Sequence, residues 1–490
     1  MLLVKNLRCE LNGHTVLRNV SFTLEKGEAI AITGPASSGK TILAYCLTGI
    51  IPNKIPGKVS GEIKLEGENI LGKKPGELIG KLGFLMQNYE AQIFGLTVEE
   101  EVRFTLENRG LDEEEITERV TWALKIVGLE RFRYYRTSQL SGGMKKRLAI
   151  ASLIASKPKI LIMDDPLLNL DWIGVVNLKK IITELKNNGM SFIILAKCTR
   201  WLEDILDRTT TINHYDYSNN CDLEYSETKK TINITSFEVH NNYDPKEEII
   251  RMENVWFRYS DTDYVIRDVT LSIRRRDIVS LLGNNGSGKT TLAKLMSGLL
   301  KPSKGNVLIS GKNTKKYSAS NLAKHVIIVF QNPDRHIVFD TIFDEVSFGC
   351  KNLGLPLENA EKALKLVGLY EKRHDAPYKL SKTEKFKLNV ASAIAIDPDV
   401  LILDEPLTIC DLDIVAILRF IIEYMYRRNK AVVIITHDTD LATLLSNRVI
   451  VINNGVMVAD TKPDILFDHD FTNKVGLKPA RLKPAVSERR

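Results

Sequence analysis

At 490 residues the chain is long enough for two or more domains, and 44% hydrophobic with 26% charged residues is ordinary for a globular protein. The formal charge of +7 is mild for this length and does not by itself argue for nucleic acid. Six cysteines, far apart and without a CxxC pair, argue against a zinc site or a disulfide framework and fit reduced thiols in a cytosol.

Lys5, Arg8 and Glu10 interrupt the N-terminus before any long apolar core, so no signal peptide is expected. No run of about 18 apolar residues occurs, so no helix is expected to cross a bilayer. Any membrane role must then go through a partner. The first clear element is an apolar strand at Ala29 to Thr33. It runs into Gly34, Pro35, Ala36, Ser37, Ser38, Gly39, Lys40 and Thr41, read as GPASSGKT. A strand, a glycine-rich loop and a helix start are the context of a phosphate-binding loop. Glycines let successive N–H groups turn inward around phosphate, the lysine reaches its oxygens, and the threonine hydroxyl suits Mg²⁺.

From Gln87 to about Ser138 the sequence is helix-rich and lacks buried-strand runs, which predicts a helical subdomain inserted in the core. LSGGM at Leu140 to Met144 and the apolar strand ILIMDDP from Ile160 follow. Asp216 to Lys246 is rich in Asn, Tyr, Ser, Thr and Glu and reads as a linker.

The chain then repeats itself. Gly283, Asn284, Asn285, Gly286, Ser287, Gly288, Lys289, Thr290 and Thr291 form a second phosphate loop, 249 residues beyond the first. FQNPDRHIVF matches MQNYEAQIF, LSKTEKFKLNVAS matches LSGGMKKRLAIAS, and LILDEP matches ILIMDDP, in the same order. Shared landmarks in one order mean a duplicated domain. Strand–helix alternation in each copy predicts an α/β fold with a mostly parallel sheet covered on both faces. The expected division is 1–215, a linker 216–248, 249–473, and a basic, solvated tail 474–490.

This motif set resembles the ATP-binding-cassette ATPases, over nearly the whole chain and twice. QNYEAQIFGLTVEEEV and QNPDRHIVFDTIFDEVSFG are similar to the ATPases of energy-coupling factor transporters, which import vitamins and transition-metal ions. The resemblance implies two tandem P-loop cassettes that bind ATP and Mg²⁺. It also implies head-to-tail pairing, with each nucleotide held between one half's phosphate loop and the other half's signature. A signature supplies backbone N–H groups, a serine hydroxyl and a helix N-terminus to the γ-phosphate, and glycine lets the backbone come close.

The halves then differ residue by residue. In the second, Asp404 is expected on Mg²⁺ with Thr290 and Gln331. Glu405 is placed to orient or deprotonate the attacking water, His437 matches the switch histidine, and Tyr259 matches the aromatic that stacks on adenine. In the first, Thr41, Gln87 and Asp164 take the metal positions, but Asp165 is one methylene shorter than Glu405. Lys197 stands for the histidine and Leu11 for the tyrosine. The signatures depart in the opposite sense: Ser141, Gly142 and Gly143 against Ser381, Lys382 and Thr383. Head-to-tail pairing would collect every intact part in one site and every departure in the other.

By the same resemblance, the segments after Gln87 and Gln331 form grooves for a coupling helix of an integral membrane subunit, beside a small substrate-binding membrane protein. Glu90, Glu99, Glu100 and Glu101, and Asp334, Asp340, Asp344 and Glu345, predict acidic grooves suited to arginines. Such grooves would repel a polyphosphate, so no nucleic acid is expected. The location implied is the cytoplasmic face of the membrane. A soluble twin-cassette protein acting on ribosomes or nucleic acid is the alternative from another class. It needs a basic interdomain segment, whereas this linker carries Asp216, Asp222, Glu224, Glu227 and Glu238 against Lys229 and Lys230. The fused ATPase of a sugar importer also has unequal halves; the QNPD segment argues against it.

Overall fold

The computed structural model describes residues 1–35, 38–168, 170–212, 247–260, 263–332, 334, 336–406 and 412–482. Ala36 and Ser37 of the first loop, nearly all of the expected linker, and the last eight residues lie outside them. The chain divides into two compact units, Met1–Glu224 and Tyr225–Arg490. No described helix is long and apolar enough to cross a membrane. Cys9, Cys46 and Cys350 are free thiols.

Each unit has the predicted parallel sheet. In the first unit its order is Leu82–Leu85, Ile160–Asp164, Ser191–Ala196, Ala29–Thr33, Arg208–Thr211. In the second it is Val326–Val329, Val400–Asp404, Ala431–Thr436, Ile278–Leu282, Arg448–Asn453, Val456–Thr461, with only the last pair antiparallel. Continuous apolar runs form these strands because both faces are covered. Ile160 and Ile162 face one core while Leu161 and Met163 face another. Val400 and Ile402 alternate with Leu401 and Leu403 in the same way.

One core lies under a second, antiparallel sheet in each unit, Leu2–Leu11 with His14–Leu24 and Lys58–Leu65, and Glu248–Phe257 with Ile266–Arg274 and Lys304–Ile309. The parallel-sheet prediction did not include it. The other core joins the sheet to the helical subdomain: Val98–Glu107, Glu113–Ile126 and Gly142–Ala155, then Ile342–Leu353, Glu358–Val367 and Lys382–Ile394.

The expected boundaries shift at two places. Glu248, placed in the linker, opens a strand. The tail is not a solvated end from Lys474: Val475, Leu477 and Ala480 are buried with Leu282, Val449, Val451 and Leu466. Asp440 Oδ1 accepts the N–H groups of Arg481 and Leu482 at 2.6 and 2.8 Å. Three apolar residues among the basic ones supply the burial, which outweighs the preference of the lysines for water.

Candidate active site

The register of the parallel strands brings the chemistry to one edge. Leu282 pairs with Thr436 and Asp404 with Ile435, so the phosphate loop, Glu405 and His437 leave the sheet together at its carboxyl end. Open α/β sheets bind ligands at that end. Gly283 must be glycine, because a Cβ there would stand 2.2 Å from the carbonyl oxygen of Ile452. Gly288 takes φ 104° and starts the helix Lys289–Met296.

Lys289 Nζ donates to the carbonyl oxygens of Gly283 and Asn284 at 2.8 and 2.9 Å. Lys40 does the same to Gly34 and Pro35 at 2.8 and 2.9 Å, so the two loops are built alike. Asn284 Oδ1 and Ser287 Oγ are buried with no hydrogen-bond partner among the described residues, which fits a polar ligand in this loop. Asn284 Nδ2 is tied to the carbonyl of Val475 at 3.0 Å, so the C-terminal segment braces the second loop.

Thr290 Oγ1 lies 3.0 Å from Asp404 Oδ2, and Thr41 Oγ1 lies 2.6 Å from Asp164 Oδ2. A hydroxyl beside a carboxylate is a hard-oxygen pair of the kind Mg²⁺ uses with phosphate oxygens. Burial pushes both aspartates up, Thr290 and Thr41 pull them down, and the neighbouring Glu405 and Asp165 push them up again. Asp404 and Asp164 are thus desolvated carboxylates, each beside a second carboxylate.

Glu405 and Asp165 share an unusual backbone, φ 49° and 44°. Their N–H groups bond to Ile435 and Leu195 at 2.9 and 2.7 Å. A left-handed non-glycine residue costs on the order of 1–3 kcal/mol and concentrates at functional sites. Their partners differ. Glu405 Oε2 lies 3.0 Å from His437 Nδ1. Burial pulls the His437 imidazole down, but the charge and hydrogen bond of Glu405, with Asp438, raise it overall. Asp165 instead accepts from Gln87 Nε2 at 3.2 Å and from the Lys197 backbone N–H at 3.3 Å.

Tyr259 is 43% exposed and edge-on to Phe257, with its hydroxyl 3.1 Å from Thr291 Oγ1. Leu11 occupies the matching place: Asn6 and Asn254 share the same left-handed bulge, five residues before each. Gln331 is exposed two residues past its strand. Ser141 caps the helix Gly142–Ala155, accepting from Met144 N–H at 3.3 Å. Among the described residues Ser141, Gly142 and Gly143 make no hydrogen bond to the phosphate loop of their own unit.

The acidic-groove expectation is corrected at Glu101 and Glu345, while Glu90, Glu100, Asp334 and Asp340 stay exposed. Glu101 and Glu345 are buried, and each Oε2 accepts two successive backbone N–H groups, from Phe94 and Gly95 at 2.7 Å and from Val338 and Phe339 at 2.9 and 3.1 Å. Glu100 closes a capping box with Thr97, Glu99 pairs with Arg133, and Asp334 pairs with Lys385. Glu101 and Glu345 hold the segments' shape from inside, and Phe94, Leu96 and Val338 are left about three-quarters exposed. Neither glutamate's role was anticipated. The signal was a threonine followed by acids three and four residues on.

The ABC transporter family profile matches residues 17–168 and 266–408. A protein of Methanosarcina acetivorans, named by inference as an ABC transporter ATP-binding protein, is 31% identical over 91% of this chain and 82% of its own length. One of Caldanaerobacter subterraneus, named in the same way, is 31% identical over 96% of this chain and 93% of its own. The solved structure of cbiO1 from Clostridium perfringens, part of the ABC transporter complex cbiONQ, covers 47% of this chain and 95% of its own, at 29% identity and a TM-score of 0.42. With both phosphate loops, both helical subdomains and two profile matches in one polypeptide, the chain belongs to the ABC transporter ATP-binding proteins and is an ATPase with two cassettes.

Proposed function

We propose that the chain powers a membrane importer of the energy-coupling factor type, for a vitamin or transition-metal ion, by hydrolysing ATP at one competent site. The observation that carries this reading is the contrast at the two strand ends. Glu405 is held by His437, whereas Asp165 is held by Gln87 and the Lys197 backbone. Both loops are built to bind nucleotide; only the second aligns a carboxylate long enough to orient water with a histidine to face the γ-phosphate. Misplacing such a group by about 1 Å is enough to lose about a hundredfold.

Under the head-to-tail pairing expected from the sequence, the second loop works with Ser141, Gly142 and Gly143. The first loop meets Ser381, Lys382 and Thr383. Thr290, Asp404 and Gln331 would hold Mg²⁺ in the competent site, and Thr41, Asp164 and Gln87 in the other. The ion would neutralise phosphate charge. Phe94, Leu96 and Val338 favour an apolar face on the coupling helix of an integral membrane subunit over an arginine-rich one. A small substrate-binding membrane protein completes the assembly at the cytoplasmic face of the membrane.

ATP turnover of the full chain tests the reading. Glu405→Gln abolishes it, a loss of at least about a hundredfold for a general base, while Asp165→Asn leaves most of it. Equal losses refute the assignment. Co-purification with ribosomes instead of a membrane subunit refutes the transporter class.

A further inference from the structure

Lys146 lies in the first unit's signature helix, Gly142–Ala155, and is only 3% exposed. Buried charges are ordinarily paired with an opposite charge. This ammonium is turned instead to neutral groups on two other segments. Nζ donates to the carbonyl oxygens of Pro166 and Leu168 at 2.9 and 2.7 Å, in the loop that follows Asp165. It also stands 5.0 Å from the centre of the Tyr89 ring, two residues past Gln87. The Tyr89 hydroxyl in turn comes 3.4 Å from the point where a Cβ on Gly142 would stand. Burial pulls the Lys146 ammonium down to about 8 while Asp165 pulls it back up, so it is mostly cationic at neutral pH.

The second unit has neither end of the cation–ring contact. The repeat puts Phe386 at the position of Lys146 and Pro333 at that of Tyr89. Phe386 is buried in the apolar core of its helical subdomain. The outer contact between the same two segments is kept in both units, Lys145 with Glu90 at 3.5 Å and Lys385 with Asp334 at 2.6 Å. An ion pair with an exposed acid holds little. A desolvated cation over a ring, bonded to two carbonyls, holds far more. Gln87 joins the same two segments directly, through its 3.2 Å bond to Asp165.

We propose that Lys146 is a positioning residue that couples the segment after Gln87 to the loop after Asp165 through the first signature helix. A displacement of the Gln87 segment, by a partner or a nucleotide, is thereby handed to the strand end that carries Asp164 and Asp165. The contacts all lie within one unit, and the coupling holds whether or not the importer reading does.

Hydrogen–deuterium exchange of the nucleotide-free full chain tests it. The reporters are peptides 89–95 and 165–171. In the second, the N–H groups of Leu168 and Leu170 bond to the carbonyls of Asp165 and Leu167 at 3.0 and 3.2 Å. Tyr89→Leu removes the ring from one segment and quickens exchange of the other, 165–171, by about tenfold, the size expected when a desolvated cation–π contact is lost. Tyr89→Phe keeps the ring and leaves 165–171 as in wild type. Glu90→Ala breaks only the outer ion pair and also leaves it unchanged. Lys146→Met removes the ammonium and quickens both peptides. Adding Tyr89→Leu to Lys146→Met changes 165–171 no further, because the cation that carried the coupling is gone. A lysine that merely filled the core would give additive effects. Additivity in the double variant, an unmoved 165–171 peptide in Tyr89→Leu, or an equal rise in Tyr89→Phe overturns the proposal. The three single variants at Tyr89 and Glu90 decide it alone where Lys146→Met does not fold. ATP turnover enters none of these readings, so a failed importer reading and a failed coupling are told apart.

Discussion

Glu101 offers the sharpest test of how the segment after Gln87 is held. Glu101→Ala removes the acceptor for Phe94 and Gly95, whose N–H groups both lie 2.7 Å from Oε2, at a residue only 4% exposed. A hydrogen bond to a charged acceptor contributes about 1.5–3 kcal/mol, so the pair amounts to about 3–6 kcal/mol of local stability. Glu101→Gln keeps a carbonyl oxygen in place and loses only the charge assistance, which roughly halves each bond and costs about 1–3 kcal/mol. The loop cannot settle closer to compensate, because Gly95 already approaches the Glu101 backbone so tightly that a Cβ would meet its nitrogen at 2.4 Å. Hydrogen–deuterium exchange of the 93–97 peptide reads the effect directly. Exchange in the alanine variant quickens by about thirtyfold or more, and the glutamine variant falls between it and wild type. Unchanged protection in the alanine variant, or identical exchange in the two variants, would refute the clamp.

Two further outcomes follow from the same geometry. Gly143→Ala meets open space, since nothing lies within 4 Å of the added Cβ, and alanine favours a helix over glycine by about 1 kcal/mol. The melting temperature therefore holds or rises while ATP turnover falls; unchanged turnover would remove Gly143 from the signature's work. His437 has its folded-state pKa raised above the ordinary 6.5 by Glu405 against the pull of burial. A raised pKa stabilises most fully below 6.5 and is lost as pH climbs through the folded value, so the melting advantage of wild type over His437→Gln shrinks upward from neutral pH. An advantage that grows with pH would show that the pair is not ionic.

The duplication, the parallel sheets and both phosphate loops were legible because they are local. An apolar run, glycines at fixed spacing and a following helix each state their own physics. The antiparallel sheets were harder, since strands such as Leu2–Leu11 alternate imperfectly around left-handed residues like Asn6. Two acids of the expected grooves were misread because sequence counts charges without showing what they bond. Glu101 and Glu345 look like surface acids and are buried acceptors of backbone N–H groups. The tail was misread for the converse reason: Val475, Leu477 and Ala480 are few, but the second unit supplies the apolar wall they need.

A duplicated chain carries its own control, and here the control separates architecture from chemistry. Lys40 and Lys289 hold matching loop carbonyls at the same two distances, and Asp165 and Glu405 keep the same strained backbone. The left-handed turn at Asp165 is held, like that at Glu405, by a backbone hydrogen bond to the neighbouring strand, here from its N–H to Leu195 at 2.7 Å. The Asp165 side chain is given to Gln87 and the Lys197 backbone. The second signature tells the same story from the other side. Its glycines are gone, but an ordered Lys372–Glu384–Ser381 network stands there, and a network of three satisfied partners is not what loss of constraint leaves behind. Both departures are built structures. On the function proposed above, a first nucleotide loop kept in sequence beside an altered Asp165 and Lys197 would retain nucleotide while the other site turns over.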